Sequence, residues 1–260
     1  PSLRLIREIH DKLMAGVRGG ELSKTPGEFR RSQNWIGGPT PDTARFVPPP
    51  VSEMNASLHD IEAFLHADSE LPILIRVALA HAHFETVHPF LDGNGRVGRL
   101  MITFMLVYER VLHAPILYLS IFFKRHRQEY YDRLQAIREK GDWEGWLAFF
   151  LEAVASVSTE ATTTARQIVS LREETRTQIS QRLGRRTASA LQLLEELFRN
   201  PIVNVRRVEV ITGLSQPAAN ALTNSMVKVG VLRETTGRKT YRVFAFDSYL
   251  RLFEERNERY

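Results

Sequence analysis

The sequence predicts a mainly α-helical fold with two short β-hairpins. In most long segments the apolar residues recur at steps of three and four positions, which is the spacing of one helix face. Short apolar pieces separated by turn-forming residues occur within residues 34–50 and within residues 231–244, and these two stretches predict the hairpins. We therefore expect helices to supply most of the buried core.

Helical patterns fill most of the first 150 residues. Residues 3–16 predict an amphipathic helix, and Ser52 is placed to cap a second helix over residues 52–66. A more apolar helix is predicted for residues 71–86, and another begins near Val97. These helices are expected to form one bundle.

A long helical region follows this bundle. Trp143 and Trp146 lie at its start, and both indoles are expected in the core. Residues 149–182 contain neither Gly nor Pro, which predicts one or two long connecting helices, and Gly184 marks the hinge at their end. The predicted domains are a core at residues 1–150, connecting helices at 151–185 and a terminal domain at 186–260.

The terminal domain shows the order helix, helix-turn-helix, hairpin, which is the order of a winged helix. Helices are predicted for residues 190–201, 205–211 and 215–229. A DNA reader should place basic and amide side chains on the third helix, which here offers side-chain amides and a single lysine, and the basic residues of the hairpin suffice for phosphate contacts but not for sequence readout. The hairpin adds four basic residues, Arg233, Arg238, Lys239 and Arg242. DNA binding and protein or self-association therefore both stay open.

Composition indicates a reducing compartment, and we expect the cytoplasm. The 260 residues include no cysteine, which excludes disulfides and thiolate zinc sites. The longest apolar run, around residues 100–106, is too short to cross a membrane. The start, Pro1-Ser2-Leu3-Arg4, is neither an initiator nor a signal peptide and indicates a cut within a longer protein. Residues 181–260 hold 14 Lys and Arg against 8 Asp and Glu, so the basic charge belongs to the C-terminal part.

The most informative stretch runs from Thr86 to Arg99, between two predicted helices. Gly93 and Gly95 bracket Asn94, and residues free to adopt positive φ let successive backbone N–H groups point into one concavity that holds phosphate oxygens. The loop leads directly into a helix whose positive N-terminal end favours the same anion. We therefore expect this loop to bind phosphate.

Side chains beside the loop complete an anion-handling site. Arg96 and Arg99 are three positions apart in the first helical turn and can grip two oxygens of a polyphosphate. Asp92 supplies one hard oxygen ligand of the kind that Mg2+ uses when substrate phosphates and water complete its shell. His88 is the group there that can accept a proton near neutral pH.

Three other interpretations of this region are weaker. Residues 93–98 spell G-x-G-x-x-G, but a dinucleotide site requires a preceding strand and an acidic residue about 20 positions later, and the sequence shows neither. A kinase loop would be followed by H-R-D and D-F-G motifs, which this sequence lacks. His81 and His83 fall on different faces of a helix without H-E-x-x-H spacing, which disfavours a zinc site.

Residues 88–99 resemble the H-P-F-x-[DE]-G-N-G-R-x-x-R signature of the Fic (filamentation induced by cAMP) proteins at every fixed position. The resemblance implies a Fic-type helical bundle that transfers AMP from ATP to a Ser, Thr or Tyr hydroxyl of a target protein, or of the chain itself, with release of pyrophosphate. ATP is then the substrate, Asp92 holds the Mg2+ cofactor and His88 is the catalytic base. The same resemblance leaves open the transfer of another phosphate-containing group and the removal of AMP.

The resemblance also implies roles for the other motif residues. The α-phosphate would be contacted by Gly93, Asn94 and Gly95. Arg96 and Arg99 would fix the β- and γ-phosphates. Phe90 would be the apolar anchor that is buried beneath the loop and fixes His88.

A flap and a base pocket are implied outside the motif. The string at residues 27–30 and the Gln-Asn-Trp-Ile-Gly-Gly that follows resemble the family's flap, at about residues 34–50, which holds the target by main-chain pairing. The alternative is an ordered Pro-rich loop. The flap residues expected to contact the target are Ile36, Gly37, Gly38, Phe46 and Val47. Tyr131 and Leu134 would border the adenine, but Arg138 departs from the Asn expected near this position, which leaves the base identity open.

A second hypothesis makes the chain a transcriptional regulator whose first domain senses nucleotide and whose residues 186–260 bind DNA. Those residues resemble the winged-helix tails of many bacterial Fic proteins. The inhibitory helix of the family has the form [ST]-x-x-x-E-[GN], and the nearest string, at residues 170–175, departs from it at Thr175. If an inhibitory helix exists, it is expected before Pro1, and its loss would leave Arg99 free. A second copy of the chain is a further candidate partner.

Overall fold

The computed structural model describes residues 2–16, 25–113, 117–238 and 240–258. Within these ranges the protein is mainly helical, with one three-stranded antiparallel sheet near the C-terminus. This confirms the predicted mainly α fold. The chain divides into two compact units, Pro1–Thr159 and Glu160–Tyr260, and each has its own hydrophobic core.

The first unit is built from helices. They are α1 (Leu3–Met14), α2 (Val51–His66), α3 (Ile73–Val87), α4 (Asn94–Tyr108), α5 (Leu119–Arg125), α6 (Arg127–Lys140) and the first part of α7 (Trp143–Arg182). α3 packs against α2, α4 and α6, and most of its residues from Val77 onward are buried. The loop that joins α3 to α4 therefore starts from the middle of the bundle.

The ends of these helices follow local sequence. Ser2 caps α1, because its hydroxyl accepts a hydrogen bond from the Leu5 N–H (3.3 Å). The predicted cap at Ser52 is wrong: α2 begins one residue earlier, Pro50 occupies the N-cap position and no side chain caps the helix. The reason is that the proline run keeps the backbone extended up to this point.

α7 is a single helix of 40 residues and carries both tryptophans near its start. Trp146 is fully buried, and its indole N–H donates to the Ala78 carbonyl (3.0 Å). Trp143 was expected beside it but is 39% exposed, because the first residue of α7 lies at the edge of the core. Despite the length of α7, no helix in the described ranges is apolar enough to span a bilayer.

Residues 34–50 hold less β-structure than the predicted hairpin. One antiparallel bridge joins Ile36 to Phe46, and a single 3-10 turn, Pro41–Thr43, lies between them. The Ile36 N–H donates to the Phe46 carbonyl (2.9 Å), and the Phe46 N–H donates back (3.2 Å). Five prolines in this segment lack a main-chain donor, so the ladder cannot extend beyond this pair.

The second unit mixes short helices with the sheet. Its elements after α7 are α8 (Thr187–Leu197), β1 (Ile202–Asn204), α9 (Val205–Thr212), α10 (Gln216–Lys228), β2 (Arg233–Glu234), β3 (Val243–Ala245) and α11 (Asp247–Glu258). The strand order is β1-β3-β2, and Val203 pairs with Phe244. The predicted order of helix, helix-turn-helix and hairpin is present, whereas Lys239 of the predicted hairpin lies outside the described residues. β1 was not predicted, since a three-residue strand shows no alternating pattern. The helix α11 was not predicted either.

Candidate functional site

His88 ends helix α3 in an unusual backbone conformation. It is the C-cap residue of α3, with φ 49° and ψ 61°, in the left-handed region that non-glycine residues rarely adopt. This conformation turns the chain sharply into Pro89 and Phe90. The His88 carbonyl accepts hydrogen bonds from Arg30 Nε (3.1 Å) and Asn34 Nδ2 (3.2 Å), and these two contacts hold the turn.

The imidazole of His88 is neutral over most of the pH range. Burial lowers the pKa of His88 to about 4; the Glu85 carbonyl opposes this shift, and the charges of Arg138 and Arg30 add to it. Nδ1 is buried and lacks a well-formed hydrogen bond to any described residue, so Nε2 is the ring nitrogen open to a substrate. A neutral imidazole with an open nitrogen can accept a proton.

The carboxamide of Asn94 closes the loop on itself. Its Oδ1 accepts from the Phe90 N–H (2.8 Å), its Nδ2 donates to the Phe90 carbonyl (2.7 Å), and the residue is 2% exposed. Both ends of the side chain are thus bound to loop backbone, a role that was not predicted from the sequence. In this conformation a phosphate contact from Asn94 would come from its backbone N–H.

Helix α4 begins with an open N-terminus. Gly93 precedes it with φ 82°, and no side chain caps the helix. The Val97 N–H donates to the Gly93 carbonyl (3.0 Å), so the N–H groups of Asn94, Gly95 and Arg96 have no partner within the helix. Such an end, with its partial positive charge, is a favourable position for a phosphate.

The guanidinium of Arg99 folds back over this N-terminus. Its Nη1 lies 2.9 Å from the position that a β-carbon on Gly95 would occupy, so a side chain at Gly95 would displace this guanidinium. Arg99 forms no hydrogen bond or ion pair with any residue in the described ranges. Arg96 lies 3.8 Å from Asp92 Oδ1, and that one carboxylate does not neutralise two guanidinium groups and a helix N-terminus. The site therefore favours an anion.

Asp92 is suited to share a Mg2+ ion with a bound substrate. Its Oδ1 accepts from the Gly93 N–H (2.5 Å), its Oδ2 has no hydrogen-bond partner among the described residues, and its side chain is 45% exposed. No cluster of three or more His, Asp or Glu occurs in the part of the chain that the structure describes. One carboxylate nevertheless fits Mg2+, because this ion takes most of its ligands from substrate phosphates and water.

A buried carboxyl group lies behind the loop. Glu85 is 6% exposed, its Oε1 has no hydrogen-bond partner among the residues that the structure describes, and burial raises its pKa to about 7 against the opposing charges of Arg99 and Arg138. Oε1 lies only 2.6 Å from the position of a β-carbon built on Gly98. Gly98 therefore allows α3 and α4 to approach closely at the site.

The flap is attached to α6 by three side chains. Arg45 forms an ion pair with Asp132, Gln135 donates to the Arg45 carbonyl (3.3 Å), and the Arg138 guanidinium lies 3.9 Å from the ring centroid of Phe46. A cation over an aromatic face is attractive when both are shielded from water. The second arm of the flap therefore has a fixed position relative to α6.

The predicted flap residues occupy different environments. Ile36 and Phe46 form the bridge, and Val47 is 44% exposed. Gly37 has φ 80°, and a β-carbon on Gly38 would lie 2.5 Å from a backbone oxygen across the turn. Both glycines are therefore required by the turn itself, whereas Val47 offers an apolar surface to a partner.

Arg30 is the main site residue that the sequence did not reveal. It is 1% exposed and donates to four backbone carbonyls, those of Ser32, Pro49, Val87 and His88. Its charge lies at the C-terminal end of α3, where the helix dipole favours a cation. One sequence feature could have indicated Arg30: it ends the segment at residues 27–30 that resembles the family's flap region.

The two residues assigned to the adenine pocket differ in exposure. Leu134 is 3% exposed and belongs to the hydrophobic core, so it presents almost no surface to a base in this structure. Tyr131 is 38% exposed, and the Arg127 guanidinium lies 5.7 Å from its ring centroid. The adenine pocket stays a prediction.

Comparisons with known proteins match the first part of the chain. The model of the Fic/DOC family matches residues 1–106. The protein adenylyltransferase Fic of Aedes aegypti is 33% identical over 154 residues, which cover 58% of this chain and 27% of that protein. The protein of the same name from Culex quinquefasciatus is 32% identical with the same coverage. The chain thus spans about a quarter of the length of these relatives.

A solved structure is similar over most of the chain. The crystal structure of a Fic family protein from Desulfovibrio desulfuricans aligns with a TM-score of 0.57 at 20% identity, covering 94% of this chain and 68% of that one. At this level of identity the similarity shows the fold alone. The protein therefore has a mainly helical Fic fold with a small antiparallel sheet near its C-terminus.

Proposed function

We propose that this chain, whose residues 1–106 match the model of the Fic/DOC family, transfers AMP from ATP to a Ser, Thr or Tyr hydroxyl of a protein and releases pyrophosphate. One observation carries the proposal: a neutral imidazole at His88 is joined by one short loop to an open helix N-terminus that Arg99 covers. A proton acceptor and an anion site in one loop are what attack of a hydroxyl on phosphate requires.

His88 has the role of general base. Nε2 accepts the hydroxyl proton as the hydroxyl oxygen forms its bond to the α-phosphorus and the bond from that phosphorus to pyrophosphate breaks. Because the pKa of His88 is about 4, the imidazole is unprotonated and ready at neutral pH. Arg30 and Asn34 hold the His88 carbonyl, so they set the direction from which the imidazole meets its substrate.

The phosphates of ATP occupy the first turn of α4. The free N–H groups at Asn94, Gly95 and Arg96 receive the α-phosphate, and the guanidinium groups of Arg96 and Arg99 bind the two outer phosphates. Asp92 holds Mg2+ together with the phosphates. When bound, Mg2+ neutralises the charge that develops on the phosphate oxygens.

The flap binds the segment of the target that carries the hydroxyl. Only one residue pair, Ile36 and Phe46, forms a bridge there, so the neighbouring main-chain groups are available to an extended peptide. Arg45 and Phe46 are attached to α6, and the segment that includes Asn34 is bound to the His88 turn. A peptide on the flap is therefore held at a fixed distance from His88.

The proposal is tested with labelled nucleotides. The full chain is incubated with Mg2+, a cell lysate and ATP, GTP, CTP or UTP labelled at the α-phosphate, and labelled proteins are identified by mass spectrometry. We expect label from ATP on a lysate protein or on the chain itself, lost in the variant His88→Ala. His59→Ala is the matched control, because His59 is an exposed histidine on α2.

Two results would contradict the proposal. Absence of label from every nucleotide would rule out nucleotidyl transfer by this chain. Equal labelling by the wild type and His88→Ala would show that His88 is not the base. Label from another nucleotide in place of ATP would leave the proposed reaction type unchanged and would correct the identity of the nucleobase.

We also infer that the second unit binds duplex DNA. Helix α10 contains neither Asp nor Glu, and Gln216, Asn220 and Asn224 follow one another at four-residue steps on one face. Arg242 donates to Asn220 Oδ1 (2.6 Å) and Arg186 to Ser225 Oγ (2.7 Å), so two cations border this face. Amide side chains with flanking cations suit the edges of bases and the phosphates beside them.

Fluorescence anisotropy with duplex DNA tests this second function. The full chain should bind DNA at low salt, more weakly as salt rises, and the double variant Arg186→Ala/Arg242→Ala should lose about tenfold in affinity. Arg4→Ala, which removes an exposed arginine of the first unit, should bind as the wild type does. Failure to bind at low salt, or equal binding by the double variant, would refute the inference.

A further inference from the structure

His10 of α1 is a buried residue whose two ring nitrogens both have partners in other segments. It is 0% exposed, its Nε2 lies 3.0 Å from the Asp92 carbonyl oxygen, and its Nδ1 lies 2.8 Å from the Gly27 nitrogen. Asp92 is 82 positions away along the chain. A histidine on the first helix thus contacts the loop that carries the proposed chemistry.

The two partners determine the tautomer of His10. A backbone N–H only donates, so Nδ1 must offer its lone pair to Gly27. A carbonyl only accepts, so Nε2 must carry the hydrogen that it donates to Asp92. His10 is therefore a neutral imidazole with its hydrogen on Nε2. It donates to Asp92 and accepts from Gly27.

The loop wraps around this imidazole. The ring of Phe90 stacks on it, with centroids 3.8 Å apart and planes inclined by 3°. A β-carbon on Gly93 would lie 3.4 Å from the His10 ring and 2.8 Å from Met14 Sδ. The turn from Phe90 to Gly93 thus follows the surface of His10. Phe90 contacts one face of the imidazole, and the Asp92 carbonyl contacts its edge at Nε2.

We propose that His10 is the positioning residue of the turn at Asp92 and Gly93, acting through the hydrogen bond from Nε2 to the Asp92 carbonyl. This proposal rests on the function proposed above, since Asp92 and the amides after it are its phosphate and Mg2+ site. The bond holds the backbone from which the Asp92 carboxylate and the first N–H groups of α4 project. His10 itself touches neither substrate nor metal.

Two substitutions separate this hydrogen bond from simple packing. His10→Gln places a carboxamide N–H where Nε2 was and can still donate to the Asp92 carbonyl. His10→Asn is shorter, can accept from the Gly27 N–H and cannot reach Asp92. Both lose the aromatic stack on Phe90 and each keeps one of the two hydrogen bonds, so the pair compares the bond to Asp92 with the bond to Gly27.

Binding and kinetics should separate the pair. By calorimetry, Mg2+ with α,β-methylene ATP should bind about tenfold more weakly to His10→Asn than to His10→Gln, and His10→Gln should remain within about threefold of the wild type. In the transfer reaction, kcat should fall about tenfold or more in His10→Asn and recover in His10→Gln, because a small displacement of the loop misplaces the reacting groups. Melting temperatures of the two variants should agree.

Equal loss of binding and kcat in both variants would overturn the proposal, because it would assign the effect to the aromatic stack. Unchanged binding and kcat in His10→Asn would overturn it as well. Nitrogen-15 NMR of the full chain provides a test without activity: Nε2 of His10 should be protonated and Nδ1 unprotonated, and the reverse tautomer would refute the assignment. If the wild type transferred no AMP, the function would fail, while calorimetry and NMR would still decide the role of His10.

Discussion

The ionisable groups of the two units are shifted by different causes. Around the loop at residues 88–99, burial dominates, because it lowers the pKa of His88 to about 4 and raises that of Glu85 to about 7. In the second unit, hydrogen bonds dominate: those from Arg207 and Arg233 lower the pKa values of Glu196 and Asp247. All eight histidines also precede residue 127. Because sites that use the neutral form of an ionisable group often bury it, this difference supports the proposal that the chemistry lies in the first unit.

The two units also differ in how their arginines are bound. Arg207 pairs with Glu196 (2.8 Å) and Arg251 with Asp247 (2.8 Å), both at the surface. In the first unit, Arg30 is buried against carbonyl groups and Arg99 is bound by no described residue. We therefore expect Arg30 to support the fold and Arg99 to bind a ligand, whereas Arg207 and Arg251 form ordinary surface pairs.

The largest effect is expected for Arg99→Ala. Removal of the guanidinium over the α4 N-terminus should lower AMP transfer by about 10²- to 10³-fold, because it takes away charge stabilisation of the leaving pyrophosphate. The rate of incorporation of α-labelled AMP measures this change. Arg207→Ala is the control in the second unit and should leave the rate unchanged. A rate for Arg99→Ala within about twofold of the wild type would remove Arg99 from the site.

The next largest effect concerns stability. Arg30→Met should lower the free energy of unfolding by about 3 kcal/mol, since it leaves several buried carbonyls without a donor. Urea unfolding followed by circular dichroism gives the value. The His88 turn should also loosen, so transfer should fall more than the loss of folded protein explains. Full activity of the remaining folded fraction would show that Arg30 only stabilises the fold.

The pH dependence of stability should carry the signature of the buried groups. Burial lowers the pKa of His81 to about 3 and that of His88 to about 4, so between pH 4 and 6.5 the unfolded chain binds protons that the folded chain does not. Stability must then rise with pH through this window. Glu85 acts in the opposite sense between pH 4.5 and 7, because its folded pKa is raised and the folded chain holds the extra proton.

Glu85→Gln isolates the second contribution. The variant should show a steeper rise in stability between pH 4.5 and 6.5 than the wild type, with a difference of about 1.4 kcal/mol per pH unit at most. Urea titrations at a series of pH values measure both curves. Parallel curves would mean that Glu85 titrates at its ordinary pKa and that burial does not perturb it.

The smallest effect is expected in the second unit. Arg207→Ala removes a surface ion pair with Glu196 and should lower the free energy of unfolding by about 0.2–1 kcal/mol. The loss should shrink further in high salt, because exposed charges are screened. A loss as large as that of Arg30→Met would erase the difference between the two units.

The motif could be predicted because its residues are neighbours in the chain. Twelve contiguous positions, 88–99, carry the base, the glycines and both arginines, and helix periodicity places them between α3 and α4. The long helices were predicted for the same reason, since periodicity is a local property. Among the small β-elements, the hairpin of β2 and β3 was predicted, whereas the flap holds one bridge in place of the predicted hairpin and β1 is too short to show a pattern.

The residues that support the motif could not be predicted from the sequence. Arg30, Asn34 and His10 reach the loop from 54 to 82 positions away, and no spacing rule connects them to it. Asn94 shows the same limit on a smaller scale. Its type and place in the motif suggested a phosphate contact, whereas the structure shows a carboxamide bound to the backbone of Phe90. Local patterns thus located the motif, whereas the contacts that hold it come from residues distant in the sequence.

The position of the transferred phosphorus in ATP decides whether this chain transfers AMP. The full chain is incubated with Mg2+ and a responsive lysate fraction, in parallel with ATP labelled at the α-phosphate and ATP labelled at the γ-phosphate. We predict that protein becomes labelled from the α-position, gains the mass of one AMP and takes up no label from the γ-position. Label from the γ-position with none from the α-position would show phosphate transfer and contradict the assignment of the loop at residues 88–99.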